Sequence, residues 1–261
     1  MFKIKPILFI LFFHISISSI VSQTTEIKIN CDPQTGLCTI PEFSDQSIEP
    51  IDWKTDSEII YIGDPMCSWC WGISPQLNAL QRYGKQAQIP FSMVMGGLRP
   101  GGGEEWNEPF KNFLKHHWEE VNKRSGQPFG YQLFELDNFN YDTEPACRAI
   151  VTVRNIAPEK VLPFYELTQH YFYVASQDPK QVAFYQPICE KLDINFEEFA
   201  NKFTSQAMKQ ATITDFRQSR QWGVNGFPAV LFRKGNQLHF IGRGYTDYEG
   251  MKERLEKIGS E

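Results

Sequence analysis

Two cysteines separated by two residues constrain this chain more than any other feature of its sequence. The motif is Cys67-Ser68-Trp69-Cys70. Residues 59–63, just before it, form a β-branched apolar run that predicts a buried strand. Residues 73–84, just after it, carry apolar side chains at helical spacing and end in a glycine expected to terminate the helix. A C-x-x-C between a strand and a helix is typical of a redox-active thiol pair.

The position of the motif assigns a role to each sulfur. A helix that starts at Cys67 directs unpaired backbone N–H groups at the Cys67 sulfur, which stabilises a thiolate. Cys70 lies one turn later, so we predict that Cys67 attacks and Cys70 resolves the mixed disulfide. Neither residue between them adds positive charge, which favours a reduction potential between those of strong oxidants and strong reductants. No metal and no cofactor is expected.

A second signal lies far downstream, where Phe227-Pro228 precedes an apolar run at residues 229–232. Proline is tolerated at the first position of a strand, and a cis bond there would present the backbone of Phe227 to a peptide beside the sulfurs. The residues alone leave cis and trans open. We predict that Ser68, Trp69, Phe227 and Pro228 contact the substrate. Exposed aromatic side chains near Trp69, Trp71 and Phe227 are expected to grip unfolded chains.

The hydrophobic pattern predicts the order strand, helix, strand, long helical segment, two-stranded hairpin and helix. Residues 234–236 form the hairpin turn, and Thr246 with Glu249 forms a capping box before the last helix. One mixed sheet with a helical lobe accommodates this order. The predicted regions are a signal peptide at 1–22, an N-terminal extension at 23–57, a sheet domain at 58–103 and 206–261, and an inserted helical domain at 104–205.

The start of the chain reads as a secretory leader. Lys3 and Lys5 precede an apolar run at residues 7–13 and small residues at 19–22, so cleavage near Ser22 is expected. Seven apolar residues are too few to span a bilayer, which needs about 20. We therefore expect a secreted or periplasmic protein, in a compartment where disulfides persist. The net charge of −5 and the lack of long basic runs argue against nucleic-acid binding.

Four further cysteines lie outside the C-x-x-C motif. Cys31 and Cys38 flank a turn, and a local structural disulfide is the favoured interpretation. A second exchange pair that shuttles electrons to Cys67 is the alternative, and a zinc site shared with the C-x-x-C is a poorer one because the C-x6-C spacing is unusual for zinc. Cys147 and Cys189 lie on apolar helical faces, either free and buried or bridged to each other.

Other sequence features have simpler interpretations. His116 and His117 lie near Glu119 and Glu120, a pattern that suggests metal binding, but a solvated helix face is favoured because no third ligand is in view. The glycines at 101–103 are interpreted as a hinge, since they lack the Lys-Ser/Thr partner of a phosphate loop.

Three local marks resemble the DsbA-like branch of the thioredoxin superfamily, in which a helical domain is inserted into a thioredoxin fold. They are the motif at Cys67, Pro75 where the first helix kinks in that family, and Gly226-Phe227-Pro228. Longer stretches are similar to the FrnE-like dithiol-disulfide isomerases. These stretches are residues 64–72, 97–101, 126–129 and 142–148.

The resemblance implies an α/β thioredoxin-like fold with a large α-helical insertion, a cis Pro228 and a nucleophilic Cys67. It implies a thiol–disulfide oxidoreductase or isomerase that acts on unfolded or disulfide-containing proteins and exchanges electrons with a membrane or soluble redox partner. Export is expected from the leader and not from the resemblance, because many relatives of the FrnE-like group lack a leader. The alternatives are a small-molecule enzyme resembling the kappa-class glutathione transferases and a non-catalytic chaperone or binding module. Residues 23–52 have no counterpart in the resemblance, and the oligomeric state stays open.

Overall fold

The computed structural model describes residues 29–40 and 55–260. The predicted signal peptide lies outside the described residues. The strands are β1 (Asn30–Asp32), β2 (Leu37–Thr39), β3 (Ser57–Gly63), β4 (Phe91–Met95), β5 (Gly226–Phe227), β6 (Ala229–Lys234) and β7 (Gln237–Arg243). The helices are α1 (Ser68–Gly72), α2 (Ser74–Gln86), α3 (Glu108–Ser125), α4 (Glu144–Ile156), α5 (Val161–Tyr173), α6 (Gln186–Lys191), α7 (Phe196–Phe203), α8 (Gln206–Gln221) and α9 (Tyr248–Ser260). None of the helices in this part of the chain has the length and apolar character to cross a membrane.

A four-stranded mixed sheet in the order β4-β3-β6-β7 forms the centre of the molecule. β3 runs parallel to β4 and antiparallel to β6, and β6 forms a hairpin with β7. Helices α2 and α9 pack against each other and the sheet, while α4 and α8 pack together against β4. Residues 59–63 of β3 are all buried, because β3 has strands on both sides and helices on both faces. The carboxyl end of β3 leads directly into the C-x-x-C motif.

Helices α3 to α7 lie between β4 and the second part of the sheet domain. They enclose an aromatic cluster that includes Trp118, Phe172 and Tyr173 and extends to Trp71, beside the cysteine motif. The helical segment is therefore packed directly against the start of α1. The division into a sheet domain at 58–103 and 206–261 and a helical domain at 104–205 stays a prediction.

Local details of several elements differ from the sequence prediction. Gly84 does not end α2, which continues to Gln86. The helix is instead interrupted near its start, where Ile73 separates α1 from α2 and Pro75 lies in the first turn of α2. The capping box at Thr246 was also wrong, since the side chain of Asp247 accepts a hydrogen bond from the N–H of Gly250 at 2.8 Å.

The described part of the N-terminal extension forms a β-hairpin. β1 pairs with β2 across a turn at residues 33–36, and Asp32 holds that turn by accepting hydrogen bonds from Gln34 N–H at 2.8 Å and Thr35 Oγ1 at 2.9 Å. β2 pairs in turn with β5, which gives a separate three-stranded sheet in the order β1-β2-β5.

Candidate active site

Cys67 is the N-cap residue of α1 and is fully buried. Its extended backbone conformation follows the end of β3, and the N–H of Cys70 donates to its carbonyl oxygen at 2.9 Å. The Cys67 Sγ lies 3.9 Å from the carbonyl oxygen of Phe227. The structure thus brings the two sequence signals, which are 160 residues apart, to one point.

The ionisation of Cys67 differs from the prediction made from the helix start. Burial raises the pKa of the Cys67 thiol well above its usual range, and the Cys70 side chain acts in the same direction. The backbone N–H of Cys70 does lower this pKa, as the helix start predicts, but the desolvation is the larger effect. In this conformation Cys67 is therefore held as a thiol.

The Cys70 side chain lies close to the hydroxyls of two buried tyrosines, Tyr61 and Tyr165. The hydroxyls of Tyr61 and Tyr165 are 3.1 Å apart. Burial and the neighbouring Cys70 raise the pKa of both hydroxyls, so both keep their protons. Cys67 and Cys70 are both free thiols in this structure, which is the reduced state of the pair.

Asp64 is a buried carboxyl group beneath the site, and its short-range sequence pattern did not identify it as a functional residue. It accepts hydrogen bonds from Met66 N–H at 2.8 Å, Thr143 Oγ1 at 2.7 Å and Cys147 Sγ at 3.3 Å. Burial raises the pKa of Asp64 although these hydrogen bonds oppose the shift. The negative charge of Asp64 also contributes to the raised pKa of Cys67. The sequence did carry an indication that Asp64 belongs to the site, because Asp64 and its partner Thr143 both lie in the stretches of FrnE-like resemblance.

The peptide bond between Phe227 and Pro228 is cis, as the resemblance implies. Arg220 supports the segment opposite, since its guanidinium donates to the carbonyl oxygens of Gly96 at 2.5 Å and Gly97 at 3.2 Å. The same guanidinium lies 5.7 Å from the centroid of the Phe227 ring. Phe227 itself packs so closely on Gly96 that a Cβ there would lie 2.0 Å from its ring.

The prediction of an exposed aromatic surface around the motif was wrong. Trp69 and Phe227 are 0% exposed and Trp71 is 7% exposed. The Trp69 ring is covered by Tyr245, with ring centroids 6.0 Å apart, and Trp71 stacks on Tyr173. Ser68 is also buried, so contact of Ser68, Trp69 and Phe227 with a substrate requires that something first move away, and that contact stays a prediction.

The resembling stretch at residues 126–129 and the side chain of Tyr141 hold the cysteine motif in place. The indole N–H of Trp71 donates to the carbonyl oxygen of Pro128 at 3.0 Å, and the amide of Gln127 donates to the carbonyl oxygen of Trp71 at 3.1 Å. The hydroxyl of Tyr141 donates to the carbonyl oxygen of Met66 at 2.9 Å. The helical insertion therefore positions the cysteine motif as well as covering it.

The N-terminal hairpin covers the motif from the other side. A disulfide joins Cys31 and Cys38, which is the local pairing favoured by the sequence and leaves these sulfurs unsuited to a zinc site shared with Cys67 and Cys70. The two cysteines line a small cleft together with Met66 and Ser68, the residues on either side of Cys67. The extension is thus part of the site.

His117 was wrongly assigned to a solvated helix face. It is only 7% exposed and lines the same cleft, while His116 is exposed. Burial lowers the pKa of His117, so its imidazole is neutral. Within residues 29–40 and 55–260, no three His, Cys, Asp or Glu side chains are grouped to hold a metal ion. Cys147 and Cys189 are free and buried, so they do not bridge the helices.

The sheet order, the C-x-x-C at a helix start and the adjoining cis-proline together define a protein of the thioredoxin-fold thiol–disulfide class. The family described as "DSBA-like thioredoxin domain" matches residues 59–256. The chain belongs to this family. The predicted α/β fold with a helical insertion is confirmed. The finer FrnE-like assignment stays a prediction.

Three individual proteins are similar to this chain. A protein disulfide isomerase candidate from Nitrosomonas europaea is 33% identical, with a TM-score of 0.72, over 79% of this chain and 98% of that chain. The cytosolic disulfide reductase DsbM from Pseudomonas aeruginosa shares the fold, with 19% identity and a TM-score of 0.64 over 78% of this chain and 98% of that chain. The ClpXP adapter protein SpxH from Bacillus subtilis is 24% identical over 183 residues, which are 69% of this chain and 59% of SpxH. The chain therefore spans less than two thirds of the length of SpxH.

Proposed function

We propose that this protein exchanges disulfides with other proteins through Cys67 and Cys70, and that it does so after export from the cytoplasm. The observation that carries the proposal is the 3.9 Å contact between Cys67 Sγ and the carbonyl oxygen of Phe227, directly before the cis Pro228. A peptide that takes the place of β2 and pairs with the backbone of Phe227 brings its own sulfur to Cys67. The candidate substrates are unfolded or disulfide-containing proteins.

The chemistry follows from the order of the two sulfurs. When a substrate disulfide reaches the site, Cys67 loses its proton, attacks one sulfur and releases the other as a thiolate. Cys70 then attacks the Cys67 sulfur, which frees the reduced substrate and leaves a Cys67–Cys70 disulfide. The reverse sequence oxidises a dithiol substrate. An isomerase uses the first step alone and lets a substrate thiol displace Cys67.

The proposal of export rests on the leader-like sequence at residues 1–22 and on the disulfide between Cys31 and Cys38. One similar protein points to the other compartment, since DsbM is named as cytosolic. A membrane or soluble redox partner is part of the same proposal, because a pair that turns over must be restored to its starting state after each cycle.

The test compares thiol–disulfide turnover of the mature protein with that of cysteine variants. Reactivation of a protein with scrambled disulfides in a glutathione buffer is the measurement. We expect Cys67→Ser to reduce turnover to the uncatalysed rate and Cys189→Ser, which removes a buried cysteine outside the site, to leave it unchanged. Equal turnover in wild type and Cys67→Ser would overturn the proposal.

A binding module is the rival that this experiment separates. Such a protein prevents aggregation of an unfolded client with or without its cysteines. If the Cys67→Ser/Cys70→Ser variant retains that protection and the wild type has no turnover to lose, the chain is a binding module. Retention of both cysteines argues against the glutathione-transferase-like alternative, in which serine is the residue expected at the reactive position.

A further inference from the structure

The backbone directly before the cis Pro228 is already paired with a strand of the same chain, β2, and not with a substrate. β2 runs antiparallel to β5, with Cys38 opposite Phe227 and Thr39 opposite Gly226. The N–H of Ile40 continues the pairing by donating to the carbonyl oxygen of Asn225 at 2.9 Å. Addition of a strand to an exposed strand edge is a common way for proteins to bind an extended peptide. The N-terminal hairpin thus occupies the position in which a substrate peptide is expected.

This pairing brings the hairpin disulfide next to the reactive thiol. Phe227 is opposite Cys38 on one side and contacts Cys67 Sγ through its carbonyl oxygen on the other. Residues paired directly across antiparallel strands have Cα atoms about 4.5–5.5 Å apart. Cys38 is 1% exposed, and it lines the cleft that also contains Met66 and Ser68. Cys38 therefore occupies the strand position, directly opposite Phe227, that a cysteine of a bound substrate strand would take.

The turn of the hairpin is fixed by contacts of its own. The Arg124 guanidinium donates to the carbonyl oxygens of Pro33, at 3.3 Å, and of Gln34. The N–H of Tyr245 donates to the carbonyl oxygen of Thr35 at 3.0 Å. Gly36 approaches so closely that a Cβ there would lie 3.0 Å from the Trp69 ring. The hairpin is thus docked at both ends and holds one register.

We propose that the Cys31–Cys38 disulfide is an intramolecular exchange partner of Cys67 and Cys70. Cys67, once deprotonated, attacks the Sγ of Cys38, so that a Cys38–Cys67 bond forms and Cys31 leaves as a thiolate that takes up a proton. Cys70 then attacks Cys67 Sγ, and Cys38 leaves in the same way. The hairpin gains two electrons and two protons and the Cys67–Cys70 pair loses them, so no external oxidant enters the step.

The proposed disulfide exchange gives the N-terminal extension a role beyond stabilising the fold. Asp32 already holds the turn through the hydrogen bonds described above, and a disulfide that only braced the hairpin has no need to lie opposite Phe227. Through the exchange, a dithiol at the hairpin carries electrons from the buried pair to a partner outside. His117, the neutral imidazole in this cleft, is a group able to pass a proton between thiols.

This inference rests on the proposed function, and a trapping experiment tests it. In the Cys70→Ser variant the second step cannot occur, so the Cys38–Cys67 disulfide accumulates and Cys31 becomes a free thiol. Acid quenching, alkylation and peptide mass spectrometry are expected to detect the linked peptide and an alkylated Cys31. Detection of only the Cys31–Cys38 peptide with alkylated Cys67, in protein shown by circular dichroism to be folded, would overturn the inference.

A matched pair of variants tests which sulfur is attacked. Cys31→Ser/Cys70→Ser keeps Cys38 with Cys67, and Cys38→Ser/Cys70→Ser keeps Cys31 with Cys67. With glutathione disulfide as oxidant, we expect the first variant to form the internal bond at a rate that does not change on dilution of the protein. Equal or faster bond formation in the second variant would contradict attack at Cys38.

The Cys31→Ser/Cys38→Ser variant separates this inference from the proposed function. If its Cys67–Cys70 pair exchanges with glutathione while the trapping experiment gives no Cys38–Cys67 peptide, only the intramolecular exchange is overturned. If its Cys67–Cys70 pair exchanges with neither glutathione nor a protein disulfide, the proposed function itself is overturned.

Discussion

At the scale of the residue, the site combines a reactive thiol with an environment that suppresses its ionisation. Cys67 is buried, and both Cys70 and Asp64 contribute to its raised pKa. The redox role of Cys67 and Cys70 was predictable because the C-x-x-C motif is local. The cis Pro228 was predictable because the family resemblance implies it. It did not predict the burial of Trp69 or His117, because the groups that cover them come from segments distant in the chain.

Replacement of Asp64 by asparagine is expected to lower the pKa of Cys67, because it removes a buried negative charge close to the thiolate. The rate of alkylation of Cys67 with iodoacetamide, measured against pH, is expected to reach its midpoint at a lower pH in Asp64→Asn than in wild type. Thr214→Ala, an exposed change remote from the site, is the control. An unchanged midpoint in Asp64→Asn would show that Asp64 has no electrostatic effect on Cys67.

The same substitution also makes a prediction about stability. Burial raises the pKa of Asp64, so the folded state binds more protons than the unfolded state at pH values above about 4, the ordinary range of aspartate. The contribution of Asp64 to stability therefore falls as the pH rises through its raised pKa. We expect denaturant unfolding of Asp64→Asn to lack this fall. Parallel pH profiles for the two proteins would contradict the assignment.

At the scale of the element, the hairpin of β1 and β2 closes the site. Arg124 on α3 holds its turn, and the neighbouring Lys123 pairs with Glu120 on the same helix at 2.6 Å. The sequence predicted the turn and the disulfide, since both depend on nearby residues. The pairing of β2 with β5 was not predictable in this way, because it joins residues far apart in the chain and each strand is only two or three residues long.

Removal of the Arg124 side chain is expected to release the hairpin and expose Cys67. Loss of hydrogen bonds to a charged group weakens docking by about 1.5 kcal/mol, so alkylation of Cys67 is expected to accelerate on the order of tenfold in Arg124→Ala. Admission of water to the thiol also lowers its pKa, which shifts the pH profile of alkylation downward. Lys123→Ala is the matched control. An equal rate in both variants would show that the hairpin does not limit access.

At the scale of the whole molecule, the sheet and the helical insertion share buried polar contacts as well as an apolar core. Arg154 on α4 forms a two-point ion pair with Asp215 on α8, with both distances at 2.7 Å. Asp215 also accepts from the N–H of Met95 at 2.9 Å, and Arg154 donates to the carbonyl oxygen of Met93 at 2.7 Å. This pair ties the last helix before the cis-proline to α4 and β4. The fold class was predictable from the order of elements, whereas such contacts were not.

Substitution of Asp215 is therefore expected to destabilise the whole molecule. Asp215→Ala leaves Arg154 and the N–H of Met95 without their carboxylate, and we expect a loss of about 3 kcal/mol. For a protein of this size that loss corresponds to a decrease of roughly 6–12 °C in melting temperature. Gln210→Ala, an exposed change on the same helix, is expected to stay within about 0.5 kcal/mol of wild type. A similar small change for Asp215→Ala would contradict this account.

The central claim is that Cys67 and Cys70 form a reversible redox pair, and its most direct test is the equilibrium reduction potential of that pair. The measurement uses the Cys31→Ser/Cys38→Ser variant, so that only the Cys67–Cys70 pair contributes to the measured potential. The variant is equilibrated in a series of glutathione buffers. We predict a two-electron couple between about −120 mV, typical of a strong oxidant, and about −270 mV, typical of a reductant. Absence of any reversible couple in the folded protein would contradict the claim.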